Sequence, residues 1–460
     1  MANEPHLRHQ KKSKNSNEEE EKMGRRKHVK PLHNRSSYKF YFLYLLFFGI
    51  SCTLAYQWYF TSYKVRTIDY IGYGLGIHSN EYAVIIDAGS TGSRILAFSF
   101  YRSRIDGSLK LESDIFIQIK PGLSSYADNP KAGAQTIVDL LQHAKDFIPQ
   151  KSWSSTPFAL RATAGLRLLP SEKAQNILKE VKKVVDDSPF LSDEHSVSIM
   201  DGKDEGLFLW FTVNFYLDSL KSDTSHTIAT LDLGGGSVQL TFIPRKIDRI
   251  LKEAPGHLYK VSILHKPVET YSYSYLGLGL MSARMRVFLN ENAENATNLI
   301  SSCVNPQTEG KKWSHGGNTY SVSGITKQPI QKRIEKCKKI IQSIIEEENV
   351  DKPPEIFELN ISAFSYFFDR AAEAGIVDSE AGGTVTVKDF QIAADKYCQS
   401  SETTQPPFMC LDLTFMWSLF QYGFGFSPDT PVTLTNTVDG HEISWALGAA
   451  YKILESQPSS

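Results

Sequence analysis

Two aspartates, Asp87 and Asp232, each end an apolar, β-branched run and open a turn of glycine and hydroxyl residues: YAVIIDAGSTGSR over 82–94 and HTIATLDLGGGSVQLTF over 226–242. Glycine lets a backbone approach a ligand closely, so that successive amides point at one anion while serine and threonine hydroxyls add donors. After each turn a second apolar run resumes, as the return strand of a hairpin would. Two such hairpins facing each other would clamp a polyphosphate from both sides, with the strand-end carboxylates turned toward a metal ion. Either loop alone reads as an ordinary tight turn. The repetition of one strand, Asp, Gly-turn, strand design makes phosphate clamping the better reading.

Two segments between the hairpins have the same flavour. In ALRATAGLRLLP, 159–170, an apolar strand runs into Thr163, Ala164 and Gly165, which offer another hydroxyl and another close backbone approach. In SIMDGKDEGLFLW, 198–210, Glu205 stands between Gly202 and Gly206 at the start of an apolar helix. A carboxylate there ordinarily caps the helix or complements its dipole, but its place between two phosphate loops makes it a candidate base.

The elements that must hold these residues alternate. The pattern predicts a strand around 115–119, a helix over 131–147, a strand over 157–162 and a helix over 171–185 with Ala174, Ile177, Leu178, Val181 and Val185 on one face. The second half predicts a long helix over 329–347 and a last helix over 443–454, which could pack back on the first half. Strand and helix alternation argues an α/β layer.

The 460 residues carry 41% hydrophobic content and a balanced 50 basic against 51 acidic residues, enough chain for one large or two medium cores and with no nucleic-acid footprint. Residues 1–37 hold ten Lys or Arg, the Glu18–Glu21 run and almost no large apolar residue, the composition of a disordered tail. From Tyr38 to Phe60 the chain is apolar and aromatic all round, with Lys39 the only charge, which reads as an uncleaved signal anchor. The basic excess before it keeps the N-terminus cytosolic and sends the rest to the lumen or outside. Residues 61–80 read as a stalk.

Cys52 falls in the apolar segment and leaves Cys303, Cys337, Cys398 and Cys410, an even number suited to an oxidising compartment. Sequence permits three pairings; joining chain neighbours, Cys303 with Cys337 and Cys398 with Cys410, is the most economical. Asn295 and Asn360 open glycosylation sequons, Asn295 in a polar stretch and Asn360 at the head of an apolar run that predicts burial.

The segments DAGSTGSR, ATAGLR, SIMDGKDEG, LDLGGGSVQ and SWALGAA resemble, in order and approximate spacing, the apyrase conserved regions of the ecto-nucleoside triphosphate diphosphohydrolase family. One N-terminal anchor, four lumenal cysteines and YSYSYLGLGLMSAR over 271–284 look like its Golgi or secreted nucleoside diphosphatase branch. The resemblance implies a fold of the actin, sugar-kinase and heat-shock-ATPase type. Two related α/β lobes, 81–205 with 440–455 and 206–439, would hold nucleotide in the cleft. It implies Glu205 as general base, Ser237 and Gln239 positioning the water, and Asp87 and Asp232 holding Mg²⁺ or Ca²⁺ largely through water. Ser90, Thr91, Gly92 and Arg94 would cradle phosphate from one side and Gly234, Gly235, Gly236 and Ser237 from the other, with Thr163 beside them. Phe415 stands where the family uses a base-pocket aromatic.

The implied activity is hydrolysis of nucleoside diphosphates such as UDP and GDP in the Golgi lumen, by a type II membrane protein that stalk cleavage would release. No obligate protein partner is implied. Two other readings remain open: a broad extracellular triphosphatase and a non-catalytic nucleotide-binding module.

Overall fold

The computed structural model describes residues 40–53, 56, 72, 79–104, 107–220, 226–264, 266–353, 355–400, 402–438 and 440–457. The chain divides into two units, Met1–Ile71 and Gly72–Ser460. In the first, residues 40–53 form helix α1 with exposed side chains. Among the described residues no helix is long and apolar enough to cross a membrane. The expected 1–37 tail, the remainder of the 38–60 anchor and nearly all of the stalk lie outside the described residues.

The second unit begins with the first expected hairpin. Strands β1 (Asn80–Ala88) and β2 (Ser93–Arg102) pair antiparallel and are followed by β3 (Leu109–Ile119). Helix α2 (Pro130–Phe147) leads to β4 (Phe158–Ala162), and the single turn α3 (Ala164–Arg167) to α4 (Ser171–Asp186) and β5 (Val197–Ile199). The sheet order is β3-β2-β1-β4-β5. Alternation along β1 sends Val84 and Ile86 against Ile137, Ile177 and Val181 of α2 and α4, and Ala83 and Ile85 to the opposite face. Burial on both faces is why β1 reads as an unbroken apolar run rather than an alternating one.

Helix α5 (Gly202–Tyr216) then leads to the second hairpin, β6 (Ala229–Leu233) with β7 (Ser237–Phe242). Beyond the short α6 (Ile247–Glu253), β8 (Leu258–Ile263) and β9 (Lys266–Leu276) extend the sheet, and α7 (Leu280–Glu291) follows. A separate three-stranded sheet of β10 (Asn298–Ser301), β11 (Lys311–His315) and β12 (Asn318–Gly324) precedes α8 (Ile330–Glu347). Next come β13 (Ile361–Ser365), α9 (Tyr366–Glu373), β14 (Gly383–Thr386), α10 (Val387–Gln399), α11 (Met409–Ser418) and β15 (Pro431–Leu434), with α12 (Trp445–Ser456) last.

The second sheet runs β14-β15-β13-β6-β7-β9-β8. In both sheets the aspartate-bearing strand has an antiparallel hairpin partner on one side, itself followed by another antiparallel strand. Two parallel strands lie on the other side. The duplication seen in the loops is therefore a duplication of the sheets that carry them.

Helix α12 does pack back on the first half, where Leu447 and Ala450 share a core with Ile85, Leu96 and Phe98. The boundary expected at 205/206 falls inside α5, which runs on because nothing after Gly206 breaks a helix and which packs against β6, β7, β9 and α12. Disulfides join Cys303 to Cys337 and Cys398 to Cys410. Asn295 is exposed, and so is Asn360, against the burial expected of it: only from Ile361 onward does its strand enter the core.

Candidate active site

The two glycine turns touch. A methyl group built on Gly235 would lie 2.3 Å from Ser90 Oγ and 2.9 Å from Thr91 Cγ2, so the second loop can meet the first only with glycine there. A polar cleft of about 460 Å³ opens at the junction, lined by Asp87, Ser90, Thr91, Arg94, Thr163, Glu205, Asp232 and the run Gly234–Ser237. Hairpin register explains the pairing of functions. Asp87 opposes Arg94 across β1 and β2, and Asp232 opposes Gln239 across β6 and β7. The same hairpin position thus carries a cation in one sheet and an amide in the other.

Asp87 Oδ2 is 3.0 Å from Arg94 Nη1, whereas its Oδ1 is buried and has no hydrogen-bond partner. Asp232 Oδ1 accepts from Ser365 Oγ at 2.6 Å. Burial raises both carboxyls; Arg94 and Trp445 oppose it at Asp87, while at Asp232 the Ser365 bond opposes it and the charge of Asp87 adds to it. Two buried, mutually repelling carboxylates, one with a free oxygen, form an oxygen-only donor set that fits a hard divalent cation. Among the described residues no group of three His, Cys, Asp or Glu side chains could hold a metal ion. The two aspartates would therefore leave most of its coordination to water and phosphate oxygens.

Glu205 lies in the first turn of α5, whose N-cap is Asp201, accepting from Lys203 N. Capping is thus already supplied, and Glu205 points instead to the cleft, 8% exposed. Its Oε2 accepts from Arg167 Nη2 and from Gln239 Nε2 at 3.2 Å; Gln239 Nε2 also reaches Ser237 Oγ at 2.7 Å and Ser274 Oγ at 3.0 Å. Burial, helped by the charges of Asp232 and Asp87 and opposed by Arg167, pushes the Glu205 carboxyl up to about 8. A carboxylate so perturbed, hydrogen-bonded to an amide and in a cleft, is suited to take a proton from water near neutral pH.

The structure brings most of the expected residues together and sets two apart. Gly92 is buried against β3, where a Cβ would meet Ile119 O at 2.9 Å, so it shapes the turn without lining the cleft. Phe415 is 1% exposed, packs in the second-sheet core and does not line the cleft. The aromatic residues at the cleft are Phe116, Phe364, Tyr366 and Trp445.

Sequence reasoning missed Arg167, Ser274 and Ser365. Arg167 lay in a quoted segment, but nothing in one dimension shows that it reaches Glu205. Ser365 carries a positive φ of 58° at the junction of β13 and α9, strain that marks a constrained site but is invisible in sequence.

The GDA1/CD39 (nucleoside phosphatase) family model matches residues 76–460. The chain belongs to that family. It is 44% identical over 384 residues to ectonucleoside triphosphate diphosphohydrolase 6 of Mus musculus, covering 82% of this chain and 83% of the relative. It is 40% identical over 384 residues to the nucleoside diphosphate phosphatase ENTPD5 of Homo sapiens, covering 82% and 88%. Among solved structures, a nucleoside triphosphate hydrolase of Neospora caninum superposes with a TM-score of 0.55 at 13% identity over 85% of this chain and 97% of that one, a likeness of fold. As a GDA1/CD39 member the protein is a nucleoside phosphatase with an actin-like α/β fold.

Proposed function

We propose that the protein hydrolyses nucleoside diphosphates of the UDP or GDP type to monophosphate and orthophosphate, by direct attack of water. The observation that carries this reading is Glu205, held by Arg167 and Gln239 in the cleft that the two glycine turns enclose. Ser237 and Gln239 orient the water, and Glu205 takes its proton as the oxygen attacks the terminal phosphorus. Backbone amides of both turns, the Ser90 and Thr91 hydroxyls and Arg94 hold charge that spreads onto phosphoryl oxygens, where positioning and electrostatics do most of the work. Mg²⁺ or Ca²⁺ bound beside Asp87 and Asp232 would neutralise phosphate charge. No serine, cysteine or histidine nucleophile is required, and none of the 12 histidines is given a role. The diphosphate preference is supported by the name of the human relative.

Phosphate release by the purified chain from UDP, GDP, ADP, UTP and ATP, with Mg²⁺, Ca²⁺ or EDTA, tests the reading. Faster metal-dependent release from UDP or GDP supports it. Preference for ATP makes the protein a broad triphosphatase instead, and binding without release makes it a nucleotide-binding module.

We also infer that 38–60 anchors the chain and that the catalytic part faces the Golgi lumen, as its two disulfides and exposed sequons suit. Protease added outside sealed vesicles should spare residues 81–460; digestion of that part overturns the orientation.

A further inference from the structure

Behind Glu205 lies a second cavity of about 380 Å³, whose walls include Arg167, Gly202, Lys203, Tyr259, Tyr273 and Ser274. Two of these residues are also the rear contacts of the water-activating pair. Arg167 Nη2 donates to Glu205, and Gln239 Nε2 donates to Ser274 Oγ at 3.0 Å. Because Glu205 lines the nucleotide cleft, one layer of polar side chains separates the two spaces. That layer holds two buried atoms without hydrogen-bond partners, the donor Arg167 Nε and the acceptor Gln239 Oε1. Orthophosphate, which offers both acceptor oxygens and a P–OH, has the chemistry to satisfy both. Gly202 keeps the wall thin: a Cβ there would stand 2.2 Å from Arg167 Nη1 and 2.4 Å from Ser274 Oγ.

The order of products raises a geometric problem. In the mechanism proposed above the terminal phosphoryl group lies against Glu205 and the Gly234–Ser237 turn, so after cleavage orthophosphate sits between that layer and the monophosphate. We propose that orthophosphate leaves first, through the second cavity past Arg167 and Ser274, while the nucleoside monophosphate still fills the cleft. This rests on the diphosphatase reading above. In that reaction the water oxygen bonds to the terminal phosphorus, the bond from phosphorus to the bridging oxygen breaks with its electrons on the monophosphate, and a water proton passes to Glu205. A protonated Glu205 no longer holds Arg167 by charge, so the guanidinium is released toward phosphate at the step that forms it. On the outer side Lys203 supplies a second cation, with Nζ 3.4 Å from Asp201 Oδ2 and 5.1 Å from the Tyr259 ring centre.

Steady-state product inhibition of the full-length chain with UDP as substrate tests the route. With phosphate leaving first, UMP inhibits competitively against UDP and orthophosphate gives mixed inhibition. Lys203→Gln should raise the phosphate inhibition constant about threefold, the scale expected for loss of one partly screened charge, and leave KM for UDP and the UMP inhibition constant unchanged. Competitive inhibition by phosphate, no inhibition by it, or an unaltered phosphate constant in Lys203→Gln overturns the exit route. Failure to release phosphate from UDP at all overturns the diphosphatase reading instead.

Discussion

Gly235 and Ser90 meet across the cleft, with room for a hydrogen but not a methyl: a Cβ on Gly235 would stand 2.3 Å from Ser90 Oγ. Gly235→Ala must therefore push the two phosphate turns apart. A displacement near 1 Å at positioned groups costs on the order of 100-fold in kcat/KM. The control is Gly256→Ala, where a Cβ meets nothing within 4 Å and activity should be unchanged. Equal activity of the two variants would show that the turns do not act as one clamp.

Glu205→Gln keeps the shape of the side chain and removes its basicity. Turnover should fall by about 100-fold or more, the usual worth of a general base, with nucleotide affinity little changed by calorimetry. Asp204→Asn, one residue earlier in α5 and so pointing elsewhere, should retain most activity. The reverse result would mean that the wrong carboxylate has been assigned.

The pH dependence follows from the Glu205 carboxyl standing at about 8 instead of the ordinary 4.5. A base works ionised, so kcat/KM should fall as pH drops through that region. Divalent cation near Asp87 and Asp232 offsets the charges that raise it and should move the fall to lower pH. Stability runs the other way: between 4.5 and about 8 the folded metal-free protein binds the proton that the unfolded chain has lost, so stability falls as pH rises. Denaturant midpoints of the metal-free protein across that window should decline, and Glu205→Gln should flatten the decline. A flat profile in the parent would contradict the buried setting of Glu205.

Excess EDTA should abolish turnover, and Mg²⁺ or Ca²⁺ restore it. Asp87→Asn and Asp232→Asn should each raise the cation concentration for half-maximal activity about tenfold, as loss of a charged contact does, with circular dichroism unchanged. Full activity in chelator would remove the metal from the mechanism.

Much of this was legible along the chain. The duplicated Asp and Gly-turn motif, the hairpins and helices α2, α4 and α8 are local: strand runs, turn glycines and apolar spacing within a dozen or so residues specify them. Glu205 could be singled out because its flanking glycines and its position between the loops are sequence facts.

Other features depended on chain segments far apart meeting. Arg167 pairs with Glu205, Ser274 meets Gln239 and Ser365 meets Asp232, contacts spanning 38, 35 and 133 residues. Phe415 shows the converse, since its motif position suggested a ligand contact and tertiary packing put it in the second-sheet core, apart from the cleft lining. By itself the sequence determined which residue types could bind phosphate and activate water, because backbone freedom and functional groups are carried residue by residue. Only the tertiary structure decided which side chains hold those groups and where the second cavity opens, because packing the two sheets against α5 and α12 creates neighbours that no spacing in the chain encodes.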